Sequence, residues 1–259
     1  MIEVTGRQLL HAGRRFSFTG QVIQDLAVFS FRRLVARNWR VKDTLSQLYL
    51  MGVESIPIVC ICLFFISILM VGEFSFHLLK ILHQDVLVPA FSTVMMLREL
   101  GPVITALLLA SRVGAGMAAE LATMKNTQQL EALASFRIDA SDLLIVPRFV
   151  ACVTATLLLT LLGAGVSVFG GALLATLQLG YNTHQYFQVI FFYASLSDLS
   201  ACLLKAAVFG AIIPVVAAVQ GLRALPGSQG VGEASTKTVV QSSLGIIIAD
   251  LVLTYLLYA

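Results

Sequence analysis

The chain has 259 residues, of which 58% are hydrophobic and only 12% are charged, and its mean hydropathy is +0.89. This composition excludes an ordinary water-soluble domain and indicates a polytopic, all-α membrane protein. The formal net charge of +3 is small and indicates no nucleic-acid partner. No Pro/Ser-rich linker, low-complexity tract or obvious internal repeat divides the sequence, so we predict a single domain over residues 1–259.

The first 44 residues predict a cytoplasmic, interfacial segment rather than a cleaved signal peptide. Arg7, Arg14 and Arg15 interrupt the region where a signal peptide needs its apolar core. From Phe18 to Trp39, apolar side chains recur near helical spacing, and arginines cluster toward the C-terminal end. This pattern is typical of a helix lying on an anionic leaflet. A solvated basic arm is the alternative.

Five apolar segments then predict five membrane-spanning helices. At about 1.5 Å per residue, each is long enough to cross a hydrocarbon core of roughly 30 Å. They are residues 45–72, 86–111, 143–179, 199–220 and 238–258. Residues 73–85 and 181–197 predict surface segments at one side, and the Gly/Pro-rich residues 221–237 predict a loop at the other. We expect Pro214 to kink the fourth span.

The basic residues predict the orientation. Of the 17 Lys and Arg residues, all but three lie before the first span, within residues 112–148 or within residues 223–237. The opposite loops contain Lys80 alone, and Arg98 and Lys205 lie inside spans. By the positive-inside rule, the N-terminus is predicted to be cytoplasmic and the C-terminus to lie outside.

The sequence displays no arrangement typical of an enzyme active site. The four histidines form no HExxH or comparable metal-ligand pattern, and no GxSxG motif occurs. Residues 227–234, GSQGVGEA, have the glycine spacing of a P-loop, but Glu233 and Ala234 replace the Lys and the Ser or Thr that it needs. The four cysteines lie in apolar segments, as core residues do. We therefore expect this chain to bind no cofactor or metal.

Ionisable residues inside the predicted spans need surroundings that satisfy their charge. They are Arg98, Glu99, Lys205 and Asp250. Lys205 and Asp250 lie on consecutive antiparallel helices, both at roughly 9 to 12 Å below the same surface. We predict that these two residues form an ion pair, with a structural role favoured over contact with a ligand.

The polar region after the second span predicts an amphipathic helix from Ala118 to Leu133. Apolar and neutral residues alternate there with charged ones; the positions of interest are Glu120, Leu121, Met124, Gln128 and Glu131. A short helix of this kind either rests on the membrane or docks in the groove of a partner protein. Its periodicity leaves both readings open.

Four motifs carry a resemblance to a known family. LRELGPVITALLLASRVGAGMAAELATMKNTQQLEAL, followed by IVPRF, resembles the signature of the MlaE/YrbE family, the permease subunits of ABC transporters that work with MCE-domain lipid-binding proteins. QLYLMGVESIPI at the first span and TKTVVQSSLGIIIADLVLT at the last also resemble the family, so essentially the whole chain is covered. Gln128 stands where the family commonly has Glu, and Ala140 where it commonly has Pro.

The resemblance implies an assembly rather than an enzyme. It implies an interfacial helix followed by five spans, a homodimer, and two copies of a cytoplasmic ABC ATPase docked on the helix that contains Glu120, Leu121, Met124, Gln128 and Glu131. ATP and magnesium would bind at that partner ATPase. A periplasmic MCE-domain protein, and often an STAS-domain subunit bound to the ATPase, would complete a system in the bacterial inner membrane. It would move phospholipid between the inner and outer membranes and support outer-membrane lipid asymmetry.

By the same resemblance, an apolar lipid cavity would open outward at the dimer interface. Its lining would come from the outer end of the first span and from the second span: Met70, Phe74, Leu78, Leu97, Arg98, Glu99 and Leu100, with Arg98 near the headgroup. The alternative for Arg98 and Glu99 is pairing with neighbouring helices, which would hold the bundle together.

Two other functions remain open from the residues. An ion-coupled secondary transporter of a hydrophobic substrate would use carboxylates such as Glu99 or Asp250, but the inverted repeat common in such transporters is not visible. A membrane-embedded lipid enzyme would need a convergent nucleophile or metal set, which the sequence does not display.

Overall fold

The protein is represented by a computed structural model, which describes residues 41–78, 87–136, 141–178 and 180–258. Within these ranges the chain forms α-helices and contains no strand, which confirms the all-α prediction. The helices are α1 Val41–Met51, α2 Ile56–His77, α3 Val88–Met95, α4 Gly101–Leu109, α5 Ala115–Asn126, α6 Gln129–Ser135, α7 Val146–Leu177, α8 Thr183–Tyr193, α9 Leu196–Leu222 and α10 Ser228–Tyr258. The predicted interfacial helix lies almost wholly outside the described residues.

Five helical stretches are long and apolar enough to cross a membrane, which confirms the five-span prediction. The first span is Val41–His77, formed by α1, a short 3₁₀ turn and α2, and the second is Val88–Asn126, formed by α3 to α5. The third, fourth and fifth spans are Leu143–Leu177, Leu196–Leu222 and Ser228–Tyr258. The chain is thus a multi-pass membrane protein.

The fifth span begins at Ser228 rather than near Thr238, so most of the predicted loop over residues 221–237 is helical. The reason is tertiary: Ala234 is buried in a small cluster with Ala122 and Ala224, which supports the extra turns. The glycines of GSQGVGEA therefore lie largely within a helix and do not form a P-loop. The actual turn is confined to residues 223–227.

Small residues allow the spans to approach one another closely. The third span packs extensively against α2 on one side and against α9 on the other. A side chain at Gly210 of α9 would overlap Thr156, and one at Gly163 would overlap Leu63. This is the packing role expected of small residues in membrane helices.

The second span is not a uniform α-helix. Residues Met96–Leu100 and Ala110–Gly114 form π-helical turns, and each turn contains an arginine. Short π-helical insertions re-aim the side chains that follow them and occur often at functional sites. The two turns therefore indicate Arg98, Glu99 and Arg112 as candidate functional residues in a span that is otherwise mostly apolar.

The two ends of the bundle differ in charge. We call the end with the C-termini of the second and fourth spans the basic end, because it carries Lys125, Arg148, Arg223 and Lys237. The opposite, far end carries α8, whose first turn is capped by Asn182. There Tyr186 is buried, and burial raises the pKa of its hydroxyl, although hydrogen bonds with Thr93 and Ser92 act in the opposite direction.

Candidate functional site

A charged cluster inside the bundle joins three spans around the ammonium group of Lys205. The Lys205 side chain has no solvent exposure, and its Nζ lies 2.8 Å from Glu99 Oε2 and 2.8 Å from Asp250 Oδ1. Nζ also donates to Thr254 Oγ1 at 2.6 Å. We call these residues the Lys205 cluster. It ties the second, fourth and fifth spans together at one depth.

The local sequence of the second span provides a further acceptor for this lysine. Pro102 has no N–H, so it cannot make the α-helical hydrogen bond to the carbonyl oxygen of Arg98 four residues earlier. Lys205 Nζ donates to that oxygen at 2.9 Å. The proline and the π-helical turn thus expose a backbone acceptor toward the fourth span, where the lysine uses it.

The charges of the cluster do not balance one to one. Two carboxylates face a single ammonium group, and the Glu99 and Asp250 side chains are 28% and 21% exposed whereas Lys205 is enclosed. Thr254 donates to Glu99 Oε1 at 3.1 Å and so helps to hold the carboxylate in place. Removing one partner of a buried pair usually costs more than the pair contributes, because the other charge is stranded.

The structure places Lys205 against Asp250, as their similar depth suggested, and adds Glu99 as a second carboxylate partner. The sequence placed Glu99 in the lipid lining and left pairing with a neighbouring helix as the alternative. Membrane depth could have revealed this pairing as well. Glu99 is an acidic residue at bilayer depth, and the three N–H donors of a buried lysine can serve more than one carboxylate. Its angular position around the helix was not readable from spacing.

Arg98 points to different partners. Its Nε donates to Asp198 Oδ1 at 2.7 Å, and its guanidinium lies 4.6 Å from the centre of the Tyr258 ring. Asp198 is 2% exposed and also accepts from the backbone N–H of Ser195, in a capping box that begins α9. The Arg98 side chain keeps 38% of its surface exposed. Asp198 was missed, although the Ser-Leu-Ser-Asp sequence is a capping-box signal.

The remaining residues of the predicted lipid lining do not form one cluster within a single chain. Met70 and Leu100 are half-buried against the main core of the bundle. Phe74 and Leu78 belong to a second cluster near the far end, with Val71 and Tyr186. Leu97 is half-buried in the π-helical turn beside Arg98. The described chain thus divides these side chains between two packing clusters, with Leu97 in neither.

The predicted helix from Ala118 to Leu133 is two helices in the structure, α5 and α6. Gln128 separates them with a φ of 58°, in the left-handed region that few residues other than glycine adopt. The prediction of one continuous helix was therefore wrong. The turn frees α6 to leave the line of the second span, and Glu131 lies exposed in the first turn of α6.

The proposed coupling residues of α5 are mostly engaged within the chain. Leu121 is 1% exposed and packs with Ile145 and Ala218, so its side chain belongs to the core rather than to a docking surface. Met124 packs half-buried against the same cluster. Glu120 is exposed but pairs with Arg148, with 2.7 Å between Oε1 and Nη2. Gln128 and Glu131 are the members of this set that remain open to a partner.

The similarities to known proteins extend over most of the chain. The family model described as Permease MlaE matches residues 44–256. A probable ABC transporter permease protein of Rickettsia typhi is 34% identical over 244 residues, which cover 91% of this chain and 93% of that protein. The intermembrane phospholipid transport system permease protein MlaE of Haemophilus influenzae is 31% identical over 214 residues, 82% of each chain.

A plant protein is also similar to this chain. The protein TRIGALACTOSYLDIACYLGLYCEROL 1, chloroplastic, of Arabidopsis thaliana is 36% identical over 221 residues, which cover 84% of this chain and 61% of that protein. The family match reaches all five spans and includes both π-helical turns of the second span and every residue of the Lys205 cluster. Because the match extends over nearly the whole described bundle, the chain belongs to the MlaE permease family.

Proposed function

We propose that this chain is the permease subunit of an ABC transporter that moves phospholipid between the inner and outer membranes of a bacterium. The observation that carries the proposal is the similarity over 82% of both chains to the Haemophilus influenzae protein, which is named for intermembrane phospholipid transport. The chain itself contributes the membrane pathway. ATP hydrolysis is the task of a separate ABC ATPase, which binds ATP and magnesium.

The distribution of charge supports an orientation for this assembly. Lys125, Arg148, Arg223 and Lys237 gather at one end of the spans, which favours a cytoplasmic location for the basic end. The ATPase then docks there, on the surface that Gln128 and α6 leave exposed. A periplasmic MCE-domain protein meets the far end. An STAS-domain subunit would bind the ATPase rather than this chain.

A homodimer fits the exposed apolar faces of the chain. The most apolar part of the fifth span is only 11% buried, compared with 67% for the fourth. Lipid or a second copy must cover such a face in the membrane. In the dimer, the outer end of the first span and the second span form the cargo cavity. Arg98, with 38% of its side chain exposed, is better placed to meet a lipid phosphate than the enclosed Lys205.

The arrangement suggests how a conformational change in the ATPase is transmitted to the cargo cavity. The π-helical second span runs from the exposed α5–α6 turn at the basic end to Arg98 and Glu99 near the far end. The Lys205 cluster fastens that span to the fourth and fifth spans. A displacement of α6 would therefore move the second, fourth and fifth spans together as a rigid body.

Lipid retention tests the proposal. The purified complex should hold phospholipid, measured by mass spectrometry against mock-purified membranes, and Leu97→Trp should reduce it by filling the cavity beside Arg98. Leu158→Trp is the matched control, since Leu158 is an exposed apolar residue of the third span. Lipid at mock levels in the parent protein would refute a phospholipid cargo.

Ion-coupled transport of a hydrophobic substrate is the second candidate. The observation in its favour is that two partly exposed carboxylates share one lysine within the spans, as proton relays do. The two functions differ in their energy source. Lipid movement in reconstituted vesicles that requires ATP and persists with a proton uncoupler supports the ABC transporter, whereas the reverse dependence supports ion coupling.

A further inference from the structure

The exposed surface of α8 changes in character from one end of the helix to the other. In its first half the exposed side chains are polar: His184, Gln185 and Gln188. In its last turn they are aromatic, with Phe191 at 81% and Phe192 at 82% exposure. A helix that lies flat on a leaflet has an apolar stripe along its whole length. The exposed apolar surface of α8 is instead confined to its C-terminal end.

The opposite face of α8 is fixed to the bundle. Tyr186 and Ile190, one turn apart, are 1% and 6% exposed and pack in the second apolar cluster. The Tyr186 hydroxyl also hydrogen-bonds with hydroxyl groups of the second span. Phe192 follows Tyr186 by six residues, which places it about 240° around the helix. Rotation of α8 therefore cannot bury Phe191 and Phe192 without removing Tyr186 from the bundle.

The level of this aromatic end identifies what covers it. The fourth span begins at Leu196, three residues after α8 ends, and Leu196 is 85% exposed. This span has 27 residues. At about 1.5 Å per residue it is roughly 40 Å long, which matches a bilayer with its headgroup regions. Leu196 thus lies at the headgroup level of the far end, where exposed aromatic residues are typical.

We propose that α8 enters the leaflet at the far end obliquely, with its last turn among the headgroups and the first carbons of the acyl chains. Phe191, Phe192 and Leu196 contact lipid, whereas the polar first half of the helix stays in water. The partner is the lipid surface itself. No particular headgroup is required, because residues 183–193 include no Lys, Arg, Asp or Glu.

The inserted end leads directly to the group that holds Arg98. Ser195 is the N-cap of α9, and its backbone N–H and its hydroxyl both donate to Asp198 Oδ2, at 3.1 and 3.0 Å. The other oxygen of Asp198 accepts from Arg98. Contact of the aromatic end with lipid therefore fixes the depth at which α9 begins, and with it the position of Asp198.

Tryptophan fluorescence in nanodiscs tests the oblique insertion in the full chain with any partners that copurify. Trp39, the one tryptophan of the sequence, is first replaced by Phe. Gln185→Trp and Phe192→Trp then report two exposed positions that lie two turns apart on one stripe of α8. In lipids brominated on the upper part of the acyl chains, Phe192→Trp should lose about half of its emission or more, and Gln185→Trp hardly any.

Each other result contradicts the proposal. Equal quenching at the two positions would mean that α8 lies flat on the leaflet. Absence of quenching at Phe192→Trp would mean that a protein surface or water covers the aromatic end. Leu158→Trp, at an exposed apolar position of the third span, shows that the brominated lipids quench a tryptophan that faces the bilayer.

Hydrogen exchange tests the anchoring role. Phe191→Gln with Phe192→Gln removes the lipid contact without lowering helix propensity. The amides of residues 195–199 should then exchange about tenfold faster, because the start of α9 is less restrained. Gln185→Ala with Gln188→Ala changes the polar half of α8 and is the control. Unchanged exchange in the phenylalanine variant would overturn the anchoring role.

Discussion

Lys205 is the residue whose environment is most demanding, because its ammonium group is enclosed and its partners come from two other spans. We predict that Lys205→Ala destabilises the protein by about 3–5 kcal/mol, since it strands two carboxylates. Asp250→Ala should cost less, because Glu99 still faces the lysine. Thermal unfolding of the detergent-purified variants measures both effects.

The double variant decides whether these residues act together. Lys205→Ala with Asp250→Ala should lose less stability than the sum of the single losses, because the double variant leaves only Glu99 without its lysine, whereas Lys205→Ala alone strands both carboxylates. Lys237→Ala with Glu233→Ala provides the control for an exposed pair whose ammonium nitrogen and carboxylate oxygen are also 2.8 Å apart, and little coupling is expected there. Additive losses at Lys205 and Asp250 would show that the two residues act separately.

A single glycine sets how closely the third and fourth spans approach. A Cβ at Gly210 would overlap Thr156 and crowd the backbone at Val153, whereas a Cβ at Gly116 meets open space. We predict that Gly210→Ala destabilises the protein by about 1–3 kcal/mol. Gly116→Ala should be neutral or stabilise it by up to about 1 kcal/mol, because alanine is the better helix former. Equal unfolding temperatures for the two variants would contradict the role given to Gly210.

At the scale of elements, α6 is the helix whose position the sequence left least certain. Its exposed Glu131 follows the left-handed turn at Gln128. If α6 docks on the ATPase, Glu131→Lys should reduce the amount of ATPase that copurifies and the hydrolysis that lipid stimulates. Glu233→Lys, at the same end on the fifth span, controls for the change of charge. Unchanged copurification in Glu131→Lys would place the docking surface elsewhere.

Leu121→Asp is a poor probe of the same contact. Because Leu121 is buried against Ile145 and Ala218, a carboxylate there would be desolvated without a partner. We expect this variant to lose folded protein before it loses any specific contact with the ATPase. Size-exclusion profiles of the detergent extract would show it as aggregation, while Glu131→Lys elutes as the parent does.

The elements show what could be read from the sequence and what could not. The length and apolarity of each segment determine its membrane depth, so the number of spans and the pairing of Lys205 with Asp250 followed. Glu99 lies 106 positions from Lys205, and no periodicity within one helix reveals which neighbouring span its side chain faces. The start of the fifth span depended on the packing of Ala234 against Ala122, a residue of the second span that is distant in sequence. Such tertiary support overrides local loop signals.

At the scale of the whole molecule, the positive-inside distribution predicts which end faces the cytoplasm. We expect a membrane-impermeant thiol reagent to label His184→Cys in spheroplasts and to label Gln129→Cys only after permeabilisation, on a background without Cys60, Cys62, Cys152 and Cys202. Both positions are exposed and lie at opposite ends of the bundle. Labelling of Gln129→Cys in intact spheroplasts would reverse the orientation and with it the location of the ATPase.

The order of the Lys205 cluster along the chain has a consequence for biosynthesis. Glu99 is translated 106 residues before Lys205, and Asp250 only afterwards, on the fifth span. When the fourth span enters the bilayer, one carboxylate partner of Lys205 is therefore already present in the second span. Without Glu99, a nascent chain would hold an uncompensated charge in lipid until the fifth span was inserted. Asp250 and Thr254 then complete the enclosure, so insertion of the fifth span completes the Lys205 cluster.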